Sequence, residues 1–191
     1  MIANSKPPGG LSRRFATHAN QLAVLLIVAT VAGLLLDSQF QFLSQLPART
    51  VKGLGKSMGE GALNAAFLAL AYYVGREVLV LLRKRGVLDA KGIGEYLVSG
   101  LAILRSIHPL AGTLAVSLAL LHAYIMLFVW TGFIGQATIN GGLVALAAIG
   151  LVTVLGVVVR LVPAKMGARV AHRYGAALFI AAYAIHKLYL R

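Results

Sequence analysis

Cysteine is absent from the chain, and charged residues are scarce. The absence of cysteine excludes disulfides, cysteine-ligated zinc, iron–sulfur clusters and thiol catalysis. Charged residues make up 12% and hydrophobic residues 59% of the 191 positions, whereas a soluble domain has about 25% charged residues. The mean hydropathy of +0.84 excludes a disordered chain and disfavours a soluble enzyme. We therefore expect an integral membrane protein.

Acidic residues are the scarcest charged class. There are 5 Asp and Glu against 18 Lys and Arg, which gives a net charge of +13. In a soluble protein such an excess would suggest nucleic-acid binding. In an apolar chain the same charges set membrane orientation and contact anionic lipid headgroups or cofactor carboxylates. We therefore expect membrane lipid, and no nucleic acid, as a partner.

Five long apolar runs predict an all-α bundle of about five transmembrane helices. They cover residues 21–36, 61–82, 97–130, 142–162 and 168–190. A basic tail, residues 1–20, precedes a transmembrane region of residues 21–191; the long basic stretch disfavours a signal peptide. The third run exceeds the ~20 residues that one crossing needs. Pro109 predicts a break there, which would leave residues 95–104 as an interfacial helix or loop.

The distribution of basic residues predicts the orientation. With the N-terminus inside and five crossings, 13 of the 18 Lys and Arg lie on the inner side. The other five lie outside: Arg49, Lys52, Lys56, Lys187 and Arg191. Because basic residues accumulate on the cytoplasmic side, we expect an inner N-terminus and an outer C-terminus. The compact loops and missing cysteine favour the cytoplasmic (inner) membrane of a prokaryote.

Four of the five histidines occur in two pairs with the same spacing. His18 lies in the polar tail, where we expect it to be solvated. The pair His108 and His122 in the third run and the pair His172 and His186 in the fifth are each fourteen positions apart. Fourteen residues make nearly four helical turns, so each pair shares a face and is separated by ~21 Å along its helix. Since these helices cross in the same direction, His108 is predicted to lie level with His172 near the inside, and His122 level with His186 near the outside.

This arrangement predicts two metal centres stacked across the membrane. Each level offers two imidazoles and no nearby carboxylate or thiolate, which disfavours zinc. Haem iron takes two axial imidazoles, and an apolar cleft between helices suits its macrocycle. A single histidine in an apolar helix is usually a packed residue, but four at matched spacing favour ligands. We predict two b-type haems, held by His108 with His172 and by His122 with His186.

Flanking residues repeat as well. Arg105 and Arg169 each lie three residues before an inner histidine, where they would pair with haem propionates. Gly112 and Gly175 follow those histidines, and such small residues let a flat macrocycle approach the backbone.

These residues resemble two families of membrane cytochromes. The stretch 103–108, Ile-Leu-Arg-Ser-Ile-His, together with Leu121-His122 resembles the first ligand helix of cytochrome b from quinol-oxidising complexes. The chain lacks the Pro-Glu-Trp-Tyr motif of that family. The five-span plan, with ligands on helices three and five, more closely resembles the ferric reductase-like transmembrane domain. Residues 169–173, Arg-Val-Ala-His-Arg, are similar to the basic run that opens the second ligand helix there.

The resemblance covers roughly residues 61–191 and implies a di-haem electron carrier. The sixth helix and flavin–nicotinamide region of the related oxidases are not seen, so NAD(P)H electrons would need a separate subunit. We expect transmembrane electron transfer as a subunit of a larger redox complex, with a quinone or a redox protein as partner, rather than a self-contained enzyme. The alternative is a structural or transport subunit without haem.

Overall fold

The chain folds into helices joined by short turns over the residues that the structure, a computed structural model, describes: 10–86, 93–162 and 166–188. The all-α prediction is confirmed, since these residues contain no strand. The five α-helices are α1 (Gly10–Phe40), α2 (Ala48–Lys84), α3 (Ile93–Tyr124), α4 (Gln136–Leu161) and α5 (Met166–Leu188). A short 3₁₀ turn, Leu43–Gln45, follows α1, and a π-helical turn, Ile125–Val129, extends α3.

Four helices are long and apolar enough to cross a membrane. They are α1 from His18, α2, α3 with its π-helical turn, and α4. The chain is therefore an integral membrane protein. The 23 residues of α5 span ~34 Å at ~1.5 Å per residue, which is also enough for a crossing. It is not among those four helices, because its two histidines, Arg169, Arg173 and Lys187 lower its hydropathy.

The first helix begins earlier than the apolar run predicts. α1 starts at Gly10, so the second half of the predicted tail, residues 1–20, is helical. No proline or glycine occurs from Leu11 to Ala32, so nothing in the sequence stops the helix from extending back beyond the membrane. Residues 1–9 of the predicted tail lie outside the described residues.

The predicted break at Pro109 is wrong. α3 runs without interruption from Ile93 to Tyr124 with Pro109 inside it, so residues 95–104 are not a separate element. Proline removes one helical hydrogen bond, and membrane helices tolerate this when neighbouring groups compensate. Beside the proline, the Thr113 hydroxyl donates to the Pro109 carbonyl oxygen at 2.8 Å.

The second helix also begins earlier than predicted. α2 starts at Ala48 directly after Pro47, whereas the apolar run begins at residue 61. Three glycines that local sequence rules place in a loop, Gly53, Gly55 and Gly59, are thus helical. Two of them lie against side chains of α3 and its π-helical extension, which places them in a helix–helix interface.

The bundle consists of two antiparallel hairpins. α2 packs along α3, and α4 packs along α5, while α1 lies against α3 and a shorter contact between α3 and α4 joins the hairpins. Over the described ranges, α3 and α5 make almost no close backbone contact. We call the space between α3 and α5 the seam.

A core of small residues fills the bundle at mid-height. Ala65, Ala115, Val116 and Ile149 form one buried cluster, and Phe179 of α5 packs against it. Small side chains let membrane helices approach closely. Ala115 lies midway between His108 and His122 on α3, and Phe179 lies midway between His172 and His186 on α5. The core therefore lies between the two predicted histidine levels.

We predict that Ala115→Leu destabilises the bundle. Ala115 is only 1% exposed, and adding a large side chain to a packed core costs about 1–3 kcal/mol. Thermal unfolding in detergent measures the effect as a lower Tm. The control is Leu114→Phe, which enlarges an adjacent side chain that is 37% exposed. An unchanged Tm for Ala115→Leu would contradict this packing.

Candidate functional site

Four half-buried histidines lie at two levels of the seam. At the inner level, the ring centres of His108 on α3 and His172 on α5 are 6.1 Å apart, and their planes are nearly perpendicular at 89°. At the outer level, His122 lies near enough to His186 for their charges to interact. The structure thus places the two histidines of the inner level in ring contact.

Three of the four imidazoles are oriented by the neighbouring helix of their hairpin. The Nδ1 atom of His108 lies 2.9 Å from the carbonyl oxygen of Ala69, and that of His122 lies 2.7 Å from the carbonyl oxygen of Gly55. In the second hairpin, Nδ1 of His172 lies 2.9 Å from the carbonyl oxygen of Val152. A carbonyl oxygen only accepts hydrogen bonds. These three Nδ1 atoms therefore carry the proton, and each Nε2 keeps a free lone pair.

The fourth histidine has a weaker anchor. Nδ1 of His186 is buried and forms no hydrogen bond of good geometry with any described residue. The backbone of Thr138 on α4 lies within interaction range of the His186 ring. Thr138 and Val152 are fourteen positions apart, as are Gly55 and Ala69. The backbone groups of α2 and α4 that face the histidines are therefore fourteen positions apart, as the histidines are.

Three glycines lie directly against the imidazoles. A Cβ added to Gly59 would lie 2.9 Å from Nδ1 of His122. A Cβ added to Gly142 or Gly156 would lie 3.2 Å from Cε1 of His186 or His172, respectively. A side chain at any of these positions would displace a ring. The sequence prediction missed these glycines, although Gly142 and Gly156 show the same fourteen-position spacing as the histidines.

The flanking residues of the predicted site divide into two groups. The side chains of Arg105 and Arg169 are exposed, and neither forms an ion pair with any described residue. Gly112 has open space where its Cβ would be. Gly175 is buried instead against Val152 and Leu155 of α4, where it allows close helix packing. A role for these four residues in cofactor binding stays a prediction.

The geometry of the inner level fits two axial ligands of one iron. Imidazoles on opposite faces of an iron would have ring centres about 6 Å apart, because each metal–nitrogen bond is ~2 Å and each ring centre lies ~1 Å beyond its nitrogen. The observed 6.1 Å agrees with this separation. Histidines that bind metals usually donate their other ring N–H to a carbonyl or carboxylate, and three of the four do so here.

A zinc-type site does not fit as well. Among the described residues, no three histidine, aspartate or glutamate side chains converge on one point. Structural and catalytic zinc sites need three or four protein ligands. The two donors at each level therefore suit a metal whose remaining ligands come with its own cofactor.

Comparison with known proteins gives no match to a family model, a curated protein or a solved structure.

If the two levels bind haem as the sequence predicts, Gly156→Val should remove it from the inner level. The new side chain would occupy the space beside Cε1 of His172 and turn that ring out of its present orientation. The haem content of the purified variant should fall from two to one per chain. Gly150→Val is the matched control, because a Cβ at Gly150 on the same helix meets nothing within 4 Å. Equal haem content in both variants would contradict the predicted contact.

Proposed function

We propose that the chain is an integral membrane cytochrome b that binds two haem b groups and carries electrons between the two faces of the membrane. The observation that carries the proposal is the orientation of the histidines. Three of them donate Nδ1–H to a backbone carbonyl on the partner helix, which leaves Nε2 free as a ligand. An imidazole buried only for packing would not need its counterpart on a second, parallel helix at the same height.

Each residue of the site has a defined task in this proposal. His108 and His172 hold the inner haem, and His122 and His186 hold the outer haem. Bound at these levels, haem supplies reversible one-electron oxidation and reduction. The protein provides ligation, orientation and an apolar surrounding. The buried cluster around Ala115 keeps water out of the space between the levels.

The exposed arginines suit the carboxylates of the inner cofactor. Arg105 and Arg169 lie one helical turn before the inner histidines and have no described acidic partner. A guanidinium binds a carboxylate with two parallel hydrogen bonds. We assign both to the haem propionates, and Gly112, with open space beside it, to close approach of the macrocycle. Gly175 supports the site through its packing on α4.

The proposal includes the surroundings of the protein. α5 crosses the bilayer together with the other four helices, the N-terminus is inside, and the membrane is the inner membrane of a prokaryote. This orientation is supported by the basic residues, of which 13 of 18 fall on the inner side. With so few residues outside the bilayer, the chain works as one subunit of a larger redox complex that exchanges electrons with a quinone or a redox protein.

We predict that His122→Ala removes the outer haem and spares the inner one. His122 is the outer ligand on α3, and the mid-height core separates it from His108 and His172. Haem quantified per chain should fall from two to one, with low-spin b-type bands retained. His18→Ala is the control, because His18 is exposed near the start of α1, and it should retain two haems.

Two outcomes would overturn the proposal. Retention of two haems by His122→Ala would mean that His122 is not a ligand. A colourless wild-type protein, expressed with ample haem, would favour a structural or transport subunit without haem.

A further inference from the structure

A buried carboxylate lies near the outer end of α1. Asp37 is 7% exposed and is the only buried acidic side chain among the residues whose burial the structure describes. It belongs to the part of α1 that is long and apolar enough to cross a membrane. An ionisable group in such a helix is costly and usually has a specific partner and task. The contacts of Asp37 indicate what this task is.

Both oxygen atoms of Asp37 accept a hydrogen bond. The backbone N–H of Leu43 donates to Oδ1 at 2.8 Å, and the hydroxyl of Tyr124 donates to Oδ2 at 2.9 Å. Hydrogen bonds to a charged carboxylate are roughly twice as strong as those between neutral groups. Asp37 therefore joins the turn after α1 to the last residue of α3.

The turn that carries Leu43 holds Asp37 in place. α1 ends at Phe40, and Gln41 has a left-handed backbone φ of 53°, which residues other than glycine adopt rarely. The backbone N–H of Gln41 donates to the carbonyl oxygen of Asp37 at 2.7 Å. Together with the bond from Leu43, this contact closes the turn back onto Asp37. The carboxylate is thus a fixed point to which the end of α3 is bound.

Tyr124 lies where α3 changes its winding. The helix is α-helical up to Tyr124 and π-helical over Ile125–Val129, where the N–H of Trp130 donates to the carbonyl oxygen of Ile125 at 2.8 Å. A π-helical bond spans five residues instead of four, so the turn contains one extra residue. The junction between the two windings comes two residues after His122.

The position of this junction decides which way His122 points. Successive residues of an α-helix are ~100° apart around its axis. If the extra residue lay before His122 instead of after it, the imidazole would turn by about that angle and leave the seam. It would also lose the carbonyl oxygen of Gly55, which lies 2.7 Å from its Nδ1 atom. A bond that holds Tyr124 in register therefore also holds His122.

The outer end of α3 is held from two sides. On one side, His122 and Ile125 lie against α2 at Gly55. On the other side, Tyr124, which is about 200° around the helix from His122, reaches α1 at Asp37. Gly55 offers only its backbone to the helix, whereas Asp37 binds one particular atom of the residue at the junction. The contact with Asp37 is therefore the one that selects a single register.

We propose that Asp37 is a positioning residue for the outer haem ligand: through Tyr124 it keeps the π-helical turn beyond His122, so that the imidazole faces the seam. The inference rests on the proposed function, in which His122 ligates the outer haem. It adds a residue from α1, a helix that supplies no ligand. Breaking the bond between Asp37 and Tyr124 should disturb the outer haem and leave the inner haem unchanged.

Electron paramagnetic resonance of the oxidised full-length protein tests the proposal without measuring activity. The low-spin signal that His122→Ala removes identifies the outer haem. Tyr124→Phe deletes only a hydroxyl, and we expect it to convert most of that signal into a high-spin signal while the inner signal stays unchanged. Tyr174→Phe is the matched control, because Tyr174 also lies two residues after a predicted ligand but is 73% exposed.

Two changes at Asp37 separate the effect of the bond from that of the charge. Asp37→Asn can keep both links, because its oxygen accepts from Leu43 and its amide N–H donates to the Tyr124 oxygen. It should therefore retain the outer signal. Asp37→Leu has the same branched shape without either link and should lose the signal. Equal outer signals in Tyr124→Phe and Tyr174→Phe, or a loss in Asp37→Asn as large as in Asp37→Leu, would overturn the inference.

A protein that purifies without haem still decides the inference. A colourless protein refutes the cytochrome proposal, and NMR of the isotope-labelled histidines then replaces the haem signals. The Nδ1–H resonance that His122→Ala removes should be hydrogen-bonded in the wild type. We expect Tyr124→Phe to abolish this resonance and Tyr174→Phe to keep it. The same resonance in both variants would overturn the positioning role of Asp37 independently of haem.

Discussion

The hydrogen bond from an imidazole to a backbone carbonyl of the neighbouring helix is the interaction on which the rest of the site depends. A polar ring inside a bilayer is costly unless its N–H is satisfied. A carbonyl oxygen inside a helix already accepts a hydrogen bond from a backbone N–H of the same helix. Its second lone pair can accept another hydrogen bond. His108 uses Ala69 in this way, and His122 uses Gly55. Each bond fixes the tautomer, the height of the ring along the bundle and the distance between two helices.

The same interaction explains the architecture of two hairpins around an open seam. Within each hairpin the helices must be close enough for a ring to reach a carbonyl, and Gly59, Gly142 and Gly156 provide that closeness. Between the hairpins, α3 and α5 stay apart over the described ranges. Phe179 and the small-residue cluster pack together at mid-height. The two histidine levels therefore lie on either side of this mid-height cluster, with two imidazoles at each.

The helical class and the levels of the histidines follow from the sequence, because the fourteen-position spacing fixes both face and height in any helix. The boundaries of the helices do not follow as easily. Gly53, Gly55 and Gly59 read as a loop, and Pro109 reads as a break, because both residue types weaken isolated helices. In this bundle α2 keeps its glycines for contact with α3, and α3 continues through Pro109. The roles of Gly142 and Gly156 were readable only with the knowledge that α4 is antiparallel to α5.

The most direct test of the account is the absorption spectrum of the purified protein, oxidised and then reduced with dithionite, with haem quantified per chain. Low-spin b-type bands at two haems per chain are the predicted result, since each of the two levels has two imidazoles that can ligate one iron. A protein that stays colourless after expression with ample haem would contradict the account. It would leave the matched histidines as packing groups of a membrane bundle.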